Sequence, residues 1–128
     1  MAQSPRPTEL TPVTAAGRQV IERYAASGFS ISGVIYPGPV LVFPDRTEAW
    51  PDPTLTAESL APVIHHGGIE ILLLGLGRRM TLIAVALRTA LKASGIVIEP
   101  MDTGAACRTY NVLLAEERRV AAALMPPV

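Results

Sequence analysis

Ile69-Glu70-Ile71-Leu72-Leu73-Leu74-Gly75-Leu76-Gly77 and, further along, Ile96-Val97-Ile98-Glu99-Pro100 decide how this chain folds. The apolar runs Ile69–Leu74 and Ile96–Ile98 are short and almost unbroken, as in strands buried on both faces. Between them Thr81 to Ser94 has helical spacing and is closed by Gly95. Strand, helix and strand in that order predict a right-handed crossover and a parallel pair. Helices are then expected on both faces of the sheet. Pro100 lacks a ladder donor and is expected to end the second strand.

Toward the C-terminus, Asp102 or Thr103 caps a helix running to about Glu117, and Val120–Leu124 reads as a last strand despite its alanines. Toward the N-terminus, Gln19–Ala25 reads as β, and Phe29–Tyr36 alternates as one strand. Pro37-Gly38-Pro39 reads as a turn into Val40–Phe43, giving an antiparallel hairpin. Asp45 to Pro53 reads as a surface excursion carrying Trp50. Thr56 is the expected N-cap of a first helix with Leu60, Val63 and Ile64 as its apolar stripe, ended by Gly67-Gly68. Residues 1–14, with Pro5, Pro7 and Pro12, read as a flexible N-terminal arm. Residues 15–128 read as a single α/β domain.

Size and composition exclude several function classes. A chain of 128 residues has room for one core. Eleven basic and eleven acidic residues give no net charge, which argues against nucleic-acid or acidic-membrane binding. One cysteine excludes an internal disulfide. The N-terminal residues lack a secretory apolar core. Arg78, Arg79 and Arg88 interrupt the most apolar stretch, so no membrane insertion is expected. The chain reads as soluble and cytoplasmic.

Three clusters carry potential chemistry. Gly75-Leu76-Gly77-Arg78-Arg79-Met80 stands between a strand and a helix, where dinucleotide folds place a glycine turn against a pyrophosphate. Glu99 ends the next strand, about where a ribose-binding acid would stand. Met80 occupies the place of the third glycine, and a glycine pair is also common there simply because it permits positive φ. The candidate ligand- or anion-binding residues are Gly75, Gly77, Arg78, Arg79, Glu99, Asp102, Thr103 and Arg108. Cys107, near a helix start and beside Arg108, would have a lowered pKa if exposed; the plainer reading is a small buried hydrophobe. His65-His66 stand at a helix C-terminus, where capping suffices to explain them. Adjacent residues point about 100° apart, so no metal site is expected, and no catalytic residue is assigned.

Residues 81–94 are apolar over most of the helix circumference, which suits a face pressed against a protein partner or a second copy. Arg78, Arg79, Arg88 and Lys92 add local positive charge, and Asp45, Glu48, Asp52 and Glu58 make the 45–58 loop acidic. Such charges would set orientation and encounter rate.

The run Val97-Ile98-Glu99-Pro100-Met101-Asp102-Thr103-Gly104-Ala105-Ala106-Cys107-Arg108-Thr109-Tyr110-Asn111-Val112-Leu113-Leu114-Ala115-Glu116, with Gly28-Phe29, Ile69–Gly77 and Arg118–Leu124, resembles a family of small domains of uncharacterised function in bacteria and archaea. Its animal members include the mitochondrial assembly factor three of respiratory complex I and an adipogenesis-associated protein. The resemblance spans about residues 17–125. It implies a three-layer β+α/β/α fold with a central mixed five-stranded sheet, one strand antiparallel to the rest. It also implies no cofactor and no established catalysis.

Two functional expectations follow. The first is a non-catalytic protein-interaction or assembly-helper module, of a kind that would serve a membrane-associated respiratory complex through the 81–94 and 45–58 surfaces. The second is a small-ligand or anion-binding domain, whether a binding protein or an enzyme, with its site between the 75–80 turn and the 102–108 helix start.

Overall fold

In the computed structural model, which describes residues 17–78 and 81–127, the chain opens as an antiparallel meander. β1 (Ile21–Ala25) pairs with β2 (Gly28–Ile31), and β2 with β3 (Val34–Tyr36). Phe29–Tyr36 is therefore two strands, not one. Ser32 and Gly33, both at positive φ (46° and 83°), reverse the chain between them, the backbone that a two-residue hairpin turn requires. Pro37-Gly38-Pro39 then leaves this sheet, so the expected hairpin across those prolines is absent.

β4 (Val40–Val42) belongs to a second, five-stranded sheet, where it pairs antiparallel with β5 (Thr47–Ala49). β5 occupies part of the expected surface excursion, and Trp50 is buried beside it. The Trp50 indole N–H donates to Ser59 Oγ at 2.6 Å. Thr56 does not cap the following helix. Its hydroxyl accepts the Ser59 N–H at 3.1 Å in a preceding turn, and α1 (Ala61–His66) starts later, ending at Gly67 with φ 79°.

β6 (Ile71–Leu76), α2 (Val85–Lys92), β7 (Val97–Met101), α3 (Thr103–Ala115) and β8 (Val120–Met125) complete the chain. The large sheet has the order β5-β4-β8-β6-β7. β6 runs parallel to β7 and β8, and β4 antiparallel to β8 and β5; β4 alone opposes the other four. The expected parallel pair is present, with a correction. The buried companion of β6 is β8, whereas β7 forms the sheet edge and leaves Val97 53% exposed. Pro100 does not end β7; it pairs in register with Leu74, which an edge strand permits. Arg88 on α2 donates to the Ile98 carbonyl at 3.2 Å.

The core lies on both sides of this sheet. One side packs Leu72, Leu74, Ile98, Ala121 and Ala123 under Trp50, Leu60 and Val63 before and within α1, and under Leu87 and Leu91 of α2. The other packs Val40, Leu73, Ala122 and Leu124 under Tyr110 and Leu114 of α3 and under Phe29 and Ile31 of the meander. Both sides of β8 are covered by large side chains, so its alanines supply the space that close packing needs. Gly75 serves packing as well. It has no positive φ, contrary to the turn reading. A Cβ there would meet Leu124 Cδ2 at 2.8 Å and Thr103 Cα at 3.2 Å. Gly77, at φ 72°, makes the turn. The expected arm 1–14 and the pair Arg79-Met80 lie outside the described residues.

Candidate functional site

Because β6, β7 and β8 are parallel, the segments leaving them emerge together: Gly77-Arg78, Asp102-Thr103 and Pro126-Pro127. Open sheets place ligands at this end of their strands. Asp102 caps α3, its Oδ1 accepting the Ala105 N–H at 2.8 Å. Thr103 is fully buried. Its Oγ1 accepts the Gly77 N–H at 2.8 Å and donates to the Met125 carbonyl at 2.6 Å, while the Thr103 N–H donates to the Gly77 carbonyl at 3.0 Å. One side chain thus ties the exits of two strands to the start of α3, so its hydroxyl serves the fold.

Over this knot Gly77, Arg78, Asp102, Gly104 and Arg108 line a cavity of about 540 Å³, together with Tyr24, Ala25 and Ala26 of the β1–β2 hairpin. Tyr24 and Arg108 touch, Arg108 Nη1 donating to Tyr24 Oη at 3.4 Å. The contact depends on Gly104, where a Cβ would lie 2.7 Å from Tyr24 Oη and 3.3 Å from Arg108 Nη1. Among the described residues neither Arg78 nor Arg108 forms an ion pair with a carboxylate.

The structure therefore brings Gly77, Arg78, Asp102 and Arg108 together. Gly75 is packed beneath the cavity, Thr103 is tied into its floor, Glu99 stands exposed on the edge strand outside the lining, and Arg79 lies outside the described residues. Tyr24 and Gly104 were not legible as wall residues. Nor was Asn111, whose buried carboxamide accepts the Ile21 N–H at 3.0 Å and donates to the Ile21 carbonyl at 2.7 Å. That clamp fixes β1 to α3 and so holds Tyr24 over the cavity. A polar amide inside an apolar helical face was its only trace in the sequence.

Cys107 takes the plainer of its two readings. It is buried, and burial pushes its thiol up to about 12, outweighing the opposing pull of Arg108. His66 does more than cap α1. Its ring stacks on Phe43 with centroids 4.6 Å apart, Nε2 lies 2.6 Å from Asp45 Oδ1, and Nδ1 lies 2.9 Å from the Gly67 carbonyl. The hydrogen bond from His66 holds the Asp45 carboxyl below its usual range. Arg46 also pairs with Asp45 and Glu48, so part of the acidic loop is locally neutralised. Among the described residues no group of three or more His, Cys, Asp or Glu is placed to hold a metal, and no helix is long and apolar enough to cross a membrane.

α2 is shorter than the expected 81–94 helix. Leu87 and Leu91 enter the core, whereas Leu82, just before the helix, is 98% exposed and Val85, at its start, 79% exposed. Arg78 and Lys92 are exposed in the same segment.

An uncharacterised protein of Rhodobacter capsulatus is 36% identical over 113 residues, covering 87% of each chain. The zebrafish (Danio rerio) protein named NADH dehydrogenase [ubiquinone] 1 alpha subcomplex assembly factor 3 is 37% identical over 117 residues, 88% of this chain and 67% of that protein. Across the animal proteins of that name the chain spans 59% to 67% of their length. The solution structure of a Bordetella pertussis protein described as an Mth938-like domain matches with a TM-score of 0.76 at 28% identity, over 92% of each chain. The family model described as "Protein of unknown function (DUF498/DUF598)" matches residues 21–125, from the first strand of the meander to the end of β8. The chain belongs to the DUF498/DUF598 family.

Proposed function

We propose that this domain is a protein-interaction module that helps to assemble a respiratory membrane complex of the NADH dehydrogenase type. The observation that carries the reading is the apolar projection of Leu82 and Val85 at the start of α2. Two such side chains three residues apart and open to water cost solubility and gain nothing within the fold, so a covering partner is the economical explanation. Arg78 and Lys92 flank them. The matching surface on the partner is then apolar with acidic groups around it, the charges steering the encounter. The names of the animal relatives support the choice of complex. The buried, protonated Cys107 supports a role without thiol catalysis.

The test is genetic and biochemical together. The gene is deleted in its own host, and native gels of the membranes are stained for NADH dehydrogenase. Loss of the assembled complex, restored by the wild-type chain and not by a folded Leu82→Asp/Val85→Asp variant, supports the reading. Full assembly in the deletion strain, or full rescue by the double variant, sinks it. Sedimentation of the purified wild-type chain beside the Leu82→Asp/Val85→Asp variant shows whether a second copy covers the same face.

A further inference from the structure

The cavity at the ends of the parallel strands shares Arg78 with the α2 surface but otherwise carries its own chemistry. Arg78 comes from the turn after β6 and Arg108 from the second turn of α3, and both line the cavity. Guanidinium groups present planar donor pairs that suit oxyanions. Arg108 donates one N–H to Tyr24 Oη. That bond engages the phenol as an acceptor and leaves its own proton to donate onward. Gly104 keeps open the space in which this pair meets. Asp102 spends Oδ1 on the Ala105 N–H, and its other oxygen remains an acceptor for a ligand hydroxyl or amine.

We infer that this cavity binds a phosphomonoester, its phosphate between Arg78 and Arg108 with the Tyr24 hydroxyl as a further donor and a neighbouring ligand hydroxyl or amine on Asp102. Two guanidiniums match a group that carries close to two negative charges and three acceptor oxygens. A monocarboxylate offers only two oxygens to these donors and no neighbouring group for Asp102, whereas a phosphomonoester offers three and a ligand amine or hydroxyl can face the Asp102 carboxylate. The same phosphate chemistry is found on soluble metabolites and on phosphatidic acid, and the experiment separates the two.

The whole chain is titrated with inorganic phosphate and with glycerol 3-phosphate at constant ionic strength, following backbone amide shifts. In parallel it is sedimented with phosphatidylcholine vesicles with and without phosphatidic acid. The expected result is saturable shifts centred on Gly77, Gly104 and Arg108. Arg78→Gln and Arg108→Gln each weaken binding at least tenfold, Lys92→Gln leaves it unchanged, and acetate binds at least tenfold more weakly. Binding to the phosphatidic acid vesicles alone, with the same dependence on the two arginines, supports a lipid source of the phosphate. Gly104→Ala gives an independent check, because filling the space beside Tyr24 weakens binding while both guanidiniums remain. No saturable binding to any of these probes, equal binding of acetate, or binding indifferent to both arginine variants overturns the inference.

Discussion

Thr103 shows how much one hydroxyl can organise. It closes the Gly77 N–H and the Met125 carbonyl at a point where water does not reach. Thr103→Val keeps the shape and strands both backbone groups. Leaving a buried group unpaired costs about 1–3 kcal/mol, so chemical denaturation of the valine variant should show a loss in that range or above. Thr103→Ser should recover most of it. Cys107 gives a second prediction at the same scale. With its thiol at about 12 and its sulfur buried, it should resist an aromatic disulfide reagent at pH 8 in the native protein and react stoichiometrically once unfolded. Rapid labelling of the native chain would refute this environment.

Elements differ in how far their sequence declares them. β6 was legible because an unbroken apolar run has few homes other than a covered sheet, β8 less so because its alanines weaken a strand signal, and α3 because Asp102 is a good cap. β7 misled, since Ile96-Val97-Ile98 has the composition of a central strand and nothing local marks an edge. The β2–β3 turn was missed because alternation continues through Ser32-Gly33 without the usual Asn or Asp. Stability should follow position, not composition. Leu73→Ala, within the core on the α3 side, should cost about 2–5 kcal/mol. Val97→Ala, half exposed at the edge, should fall within about 0.5 kcal/mol of wild type. The meander answers to Asn111. Asn111→Ala removes both bonds to Ile21, and hydrogen exchange should then quicken across β1–β3 while β6 and β8 keep their protection. Uniform quickening in all strands would show that the meander is not a separate unit.

At the scale of the molecule, half the cavity was readable. Parallel strands deliver their following loops to one end, so Gly77, Arg78, Asp102 and Arg108 were bound to be neighbours once the topology was right. Tyr24, Ala25 and Ala26 were not, because their approach rests on a clamp between residues 21 and 111 that no local pattern encodes. The whole fold also has an alkaline limit. Cys107 and Tyr110 are both raised by burial, from ordinary values of 9.0 and 10.0. The folded state therefore favours their neutral forms, whereas the unfolded chain ionises them first. The stability they protect is full below pH 9 and is lost as pH rises toward 12, each group removing up to about 1.4 kcal/mol per pH unit once its unfolded form titrates. Denaturation midpoints should hold steady from pH 7 to 9 and decline above. A midpoint constant through pH 11 would contradict this burial.

The edge formed by β7 has a further consequence. The Val97 N–H bonds inward to the Glu70 carbonyl, so the intervening residues Ile98 and Pro100 turn their backbone groups outward. Arg88 already occupies the Ile98 carbonyl, and Pro100 has no N–H to offer. A stray β-segment approaching from that flank finds one docking point taken and the next missing. The exposed Val97 can thus sit beside an open margin without seeding runaway polymerisation.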